Sequence, residues 1–137
     1  MTKFYNTISR DDISKWEQEH SKLEGFVIEL PEDYKTFISD VSNGFSFTTG
    51  YELYPLDDSK QFHVHIDSDD YGFYEDGYEG AFEKPIYYAY IGGSSNIGDV
   101  ILLSGPNKGF VASEIDGCEL DLRNLKSFDE FLKDIGF

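Results

Sequence analysis

The chain has 137 residues, 27 of them acidic and 11 basic, for a formal net charge of -16. A charge of that sign and size repels nucleic acid and anionic lipid, which excludes direct DNA or RNA binding and membrane-surface attachment and favours cationic partners. Phe, Tyr and Trp make up 17% of the residues, enough apolar area for a single domain over 1–137 to fold without a disulfide or a structural metal.

Met1 to Arg10 lacks an apolar core of signal-peptide length, and no apolar run reaches the roughly 20 residues of a membrane helix, so a cytoplasmic protein is expected. Ser9 followed by Asp12 reads as a helix start, with Ile13, Trp16 and His20 then falling on one face. A second helix is predicted in "LPEDYKTFISDVSNG". Pro31 suits its first helical position, Glu32 and Asp33 complement its amino-terminal dipole, and Tyr34, Phe37, Ile38 and Val41 form one apolar stripe. Asn43 and Gly44 are predicted to end it, Gly44 in the left-handed conformation that closes helices.

From Phe45 the apolar period changes to two. Phe45, Phe47, Tyr51 and Leu53 read as short strands interrupted by Pro55, and "QFHVHID" alternates Phe62, Val64 and Ile66 against Gln61, His63, His65 and Asp67. "PIYYAYIGG", "DVILLS" and "FVASEI" continue the strands, with one hairpin turn from Gly105 to Gly109 and another at Asp116 and Gly117. Ser127 and Glu130 are spaced as a capping box opening a last helix, whose Phe128, Phe131, Leu132 and Ile135 share a face. The expectation is an α+β domain: a mainly antiparallel or mixed sheet with helices near both termini packed on it. Its expected core holds Trp16, Tyr34, Phe37, Ile38, Val41, Phe128, Phe131 and Leu132.

The stretch "DSDDYGFYEDGYEG", residues 67–80, places six carboxylates and four aromatic rings together without a basic residue. A cation site, a solvated loop and a face for a positive partner all compete to explain it. Asp67, Asp69 and Gly72 match the first, third and sixth positions of a calcium loop, but Tyr71 and Tyr78 occupy its fifth and twelfth, and Glu79 comes one residue late. His63, His65, Asp67 and Asp69 alternate, so an extended strand would set four ligand types on one face, as a metal-dependent hydrolase would use His63, His65 and Asp67. The plain alternative is the wet face of an antiparallel strand, and Ser68 stands where a metallo-hydrolase pattern needs its last histidine.

Ser94 in "GGSSNIG" lacks the closing glycine of a nucleophile elbow, because Asn96 stands there, and no Gly-Lys-Ser/Thr follows to cradle phosphate. That loop reads as a turn. Cys118, the lone cysteine, cannot form an internal disulfide and reads as a small apolar residue on a strand. Neither a catalytic residue nor a cofactor is predicted. The partner-face reading of the acidic stretch assigns Asp69, Asp70, Glu75, Asp76 and Glu79 to electrostatic steering and Tyr71, Tyr74 and Tyr78 to anchoring, because tyrosine beside carboxylate suits arginine- or lysine-rich surfaces. The other reading is a solvated loop whose rings belong to the core.

In order along the chain, "LPEDYKTFISDVSNGF", "LYPLDD", "YIGGSSNIGDVILL" and "SFDEFLKDI" resemble the signature of the SUKH superfamily, whose best-known branch is the Smi and Knr type of domain. One departure is Phe45 after Gly44, where the family often has a second glycine. The resemblance implies a mixed α+β fold without catalytic residues. In bacterial members it implies an immunity protein that binds and neutralises a toxin; in the eukaryotic branch, an intracellular regulatory or scaffold module. An acidic inhibitor suits a toxin with a basic surface, such as a nuclease that must hold phosphates.

Overall fold

The computed structural model describes residues 3–48, 50–56, 64–67, 73–74, 86–94, 97–105, 107–115, 119–121 and 124–137. Helix α1 (Arg10–Glu24) starts where the Ser9 hydroxyl accepts the Asp12 amide at 3.1 Å, and Gly25, at φ 78, ends it. It buries Ile13 and Trp16, and the ring of His20 stacks on Trp16. Glu17 on α1 accepts the Leu30 amide at 2.7 Å and pairs with Lys35 at 3.5 Å, fastening the helix to the start of α2 (Glu32–Asp40).

Tyr34, Phe37 and Ile38 on α2 are buried as their spacing predicts. Three details differ from the sequence reading. Pro31 is the N-cap, with extended backbone, and helical geometry begins one residue later. Val41 is 51% exposed, because α2 ends at Asp40 and the chain leaves the register that would have turned Val41 inward.

Gly44 does not close the helix either. It lies beyond it at φ 98, where an added Cβ would stand 2.5 Å from the Leu53 carbonyl oxygen. The buried Ser42 hydroxyl accepts the Tyr5 amide at 3.0 Å and donates to the Gly44 carbonyl. The Asn43 side chain accepts the Leu56 amide at 2.8 Å and donates to the Leu56 carbonyl at 3.3 Å. Residues 42–44 therefore join three separate pieces of chain, and glycine is needed because the strand exit passes so close.

The strands are β1 (Lys3–Phe4), β2 (Phe45–Ser46), β3 (Glu52–Leu53), β4 (Val64–Asp67), β5 (Phe73–Tyr74), β6 (Ile86–Ser94), β7 (Ile97–Leu102), β8 (Val111–Ile115) and β9 (Glu119–Asp121). They form one sheet in the order β1-β2-β3-β6-β7-β8-β9-β5, with β4 also pairing β6. All described pairs are antiparallel except β5 with β9. Strand β6 is long enough for two partners in succession: β4 along Ile86–Ala89 and β3 along Gly92–Gly93. A bulge between Tyr90 and Gly92 shifts its register against β7. Gly105 and Gly109, both at positive φ, make the predicted turn between β7 and β8.

The last helix, α3 (Phe128–Asp134), carries the predicted capping box, with Ser127 and Glu130 bonded reciprocally. Phe128, Phe131 and Leu132 join Tyr34, Phe37, Ile38, Ile13 and Trp16 in the main core, against Ala89, Ile91, Ile101 and Val111 of the sheet. The other sheet face carries a smaller cluster, Val100, Leu102, Ala112 and Leu120, with Tyr88, Tyr90 and Leu125 packed on it. The molecule is an α+β domain whose helices cover one face of the sheet.

Candidate partner-binding face

Strand register lines up polar residues on the face away from the helices. Directly opposed residues of antiparallel strands share a face. Ser46 opposes Glu52, Glu52 opposes Gly93, and Gly93 opposes Gly98. Asp99 opposes Ser113, so Gly98 stands across from Glu114 in the same row. The two glycines leave the middle of the row low, with a glutamate toward each end.

Both glutamates hold tyrosine hydroxyls. Glu52 accepts from Tyr5 Oη at 3.0 Å. Glu114 accepts from Tyr90 Oη at 2.9 Å through one oxygen and from the Gly98 amide at 2.7 Å through the other. Gly98 makes room for this: a Cβ there would lie 2.7 Å from both Glu114 Oε1 and Tyr90 Cε1. Among the described residues no lysine or arginine pairs with Glu52 or Glu114.

Tyr54 follows β3 into this row. Its amide donates to the Ile91 carbonyl at 2.7 Å, opposite the bulge of β6, and its side chain is half-buried. Burial raises its phenol pKa, and the carboxylates of Glu52, Asp99 and Glu114 raise it further. Burial likewise raises that of Tyr90, with Glu114 adding to it. Both phenols are thus neutral at physiological pH, facing ionised glutamates.

Asp99 points to the other side of the sheet, where it is 5% exposed and accepts from Tyr51 Oη at 2.8 Å and Ser113 Oγ at 2.5 Å. Burial pushes its pKa up even though those bonds and Lys126 pull it down. A folded-state pKa above the unfolded one contributes stability that is full below the unfolded value and lost as pH rises through the folded value. Asp99→Asn, which keeps the shape without the charge, should therefore melt higher than the parent at neutral pH. Thermal melts across pH should show that gap closing as the medium is acidified into the range where Asp99 itself protonates; a gap that stays constant would contradict the burial argument.

Most residues named from sequence for partner binding or metal lie outside the described residues: Asp69, Asp70, Tyr71, Glu75, Asp76, Tyr78, Glu79 and His63. So do Cys118 and the turn at Asp116 and Gly117. Tyr74 belongs to β5, with its backbone opposite Asp121. His65 and Asp67 belong to β4, opposite Tyr88 and Ile86, while His20 is on α1. Among the described residues no three His, Cys, Asp or Glu side chains converge as a metal site. Ser94 ends β6 opposite Ile97, so "GGSSNIG" is a hairpin feeding a strand, with no helix end to receive a phosphate.

The sequence reading did not single out Glu52, Tyr54, Tyr90 or Glu114. Alternation within "YYAY" was the available signal for Tyr90, since Ala89 faces the core between Tyr88 and Tyr90. Nothing local could have joined it to residues 24 or more positions away.

A family model described as SMI1 / KNR4 family (SUKH-1) matches residues 7–134. No curated protein and no solved structure matches the chain.

Proposed function

The chain belongs to the SMI1/KNR4 family (SUKH-1), and from that membership we propose that it is an immunity protein that binds and neutralises a cognate bacterial toxin with a basic surface, a nuclease. The family domain supports an immunity-type role, and the observation that carries the finer reading is the net charge of -16 on such a domain. Nuclease toxins need positive surfaces for phosphates, so an acidic protein gains association rate and specificity by covering them. The chain acts by binding, without catalysis or cofactor, and in the cytoplasm; no described helix is long and apolar enough to cross a membrane.

In this reading Asp69, Asp70, Glu75, Asp76 and Glu79 steer the toxin, and Tyr71, Tyr74 and Tyr78 anchor it. The test begins with the toxin-like domain encoded beside this gene, co-expressed with the chain. Restored growth, and a complex formed with the purified toxin, are expected. Neutralising the five carboxylates together should slow association and flatten its salt dependence. Truncating a tyrosine should mainly speed dissociation, by about 2 kcal/mol where it fills a desolvated pocket. Folded variants that all keep parental rates and full protection would remove the acidic stretch from the interface. A melting temperature raised by zinc or cobalt would instead favour the hydrolase reading of His63, His65 and Asp67.

A further inference from the structure

Tyr54 differs from the tyrosines around it. Tyr5, Tyr51 and Tyr90 each give their hydroxyl to a carboxylate, Glu52, Asp99 and Glu114 respectively. Among the described residues the Tyr54 hydroxyl has no such acceptor, although it stands in the field of all three carboxylates. Its backbone is held on Ile91, so the ring is presented from a fixed position. On one side is Glu52, whose Oε1 has no described partner; on the other, Glu114 leans back over Gly98 toward the ring of Tyr90.

We infer that Tyr54, between Glu52 and Glu114, is the seat for an arginine side chain presented by a basic protein partner. The chemistry selects arginine over lysine. A guanidinium is planar, stacks on an aromatic ring and forms paired hydrogen bonds to a carboxylate, whereas an ammonium is a compact and more strongly hydrated charge. The Glu52 and Glu114 backbones are three strand spacings apart, about 14 Å, and both side chains extend into that gap, which is close to what one long side chain lying across the ring would bridge. Complementarity favours the same occupant: the chain carries a net charge of -16, and no described cation neutralises either glutamate. The inference rests on the proposed toxin-binding role only for the identity of the protein that bears the arginine.

The test compares nona-arginine and nona-lysine peptides binding to the full chain, in parallel with toxin neutralisation. The parent should bind nona-arginine about tenfold more tightly, equivalent to roughly 1.4 kcal/mol. Tyr54→Leu, which keeps apolar bulk and removes the ring, should bring the two peptides to within about twofold of each other at an unchanged melting temperature. Tyr54→Phe should retain the preference. Joint Glu52→Gln and Glu114→Gln should weaken both peptides and leave a smaller arginine preference. Neutralising the five carboxylates of the acidic stretch should weaken both peptides equally and leave the preference intact. Equal affinities in the parent, or a preference that survives Tyr54→Leu, would overturn the assignment. Lost neutralisation with the preference intact would count against the toxin role alone.

Discussion

Replacing Phe37 by alanine should lower the unfolding free energy by about 3 to 5 kcal/mol, much of what a domain of this size has to spare. Phe37 sits where helix, sheet and carboxyl terminus meet. Its ring is 5.1 Å from Phe137, 5.7 Å from Phe128 and 6.0 Å from Phe45, centre to centre, and it belongs to the main core. Truncation removes apolar area and leaves a cavity walled by rings anchored on three different elements, which cannot all collapse into it. The same change at Phe4, which is 53% exposed, should cost no more than about 1 kcal/mol. Chemical denaturation of both variants decides the matter. A Phe37→Ala loss as small as that of Phe4→Ala would mean that α2 presents a different face.

Gly44→Ala should be destabilising by roughly 2 to 4 kcal/mol, from two causes that a control separates. One is backbone strain, because φ at Gly44 is 98, where side chains are rarely tolerated. The other is steric: the new methyl would meet the Leu53 carbonyl oxygen at 2.5 Å and the Pro55 nitrogen at 3.1 Å, both backbone atoms. Gly50 has the same φ of 98, but an added Cβ there meets nothing within 4 Å. Gly50→Ala should therefore show the strain alone, about 1 kcal/mol, and the difference between the variants reads the clash. Equal losses would mean that the Ser42–Gly44 junction yields to let the methyl in.

The helices were legible in the sequence because their signals are local. Ser9 with Asp12, and Ser127 with Glu130, are bonds within one turn, and the Tyr34, Phe37, Ile38 stripe follows from helical geometry alone. The reading failed where tertiary demands took over. Val41 fits the stripe but lies past the end of α2, and Gly44 resembles a helix terminator while its conformation answers to Leu53 and Pro55. Two-residue β1 carries no alternation to detect; β2 across the pairing defines it. The row from Glu52 to Glu114 was hidden for the same reason. It depends on a register that brings four strands together and on a bulge in β6, and neither is written in any one segment.

The sheet's two faces also divide the sequence by use. Ile91, Ile101 and Val111 belong to the face that the helices cover, whereas Glu52, Tyr54, Tyr90 and Glu114 stand on the other. In a strand these sets fall at alternate positions, so they can drift separately through evolution. Substitutions at positions 52, 54 and 114 can remodel recognition while the hydrophobic interior is inherited unchanged. A lineage facing rival adversaries could then diversify what it binds by point mutation, without having to refound its architecture each time.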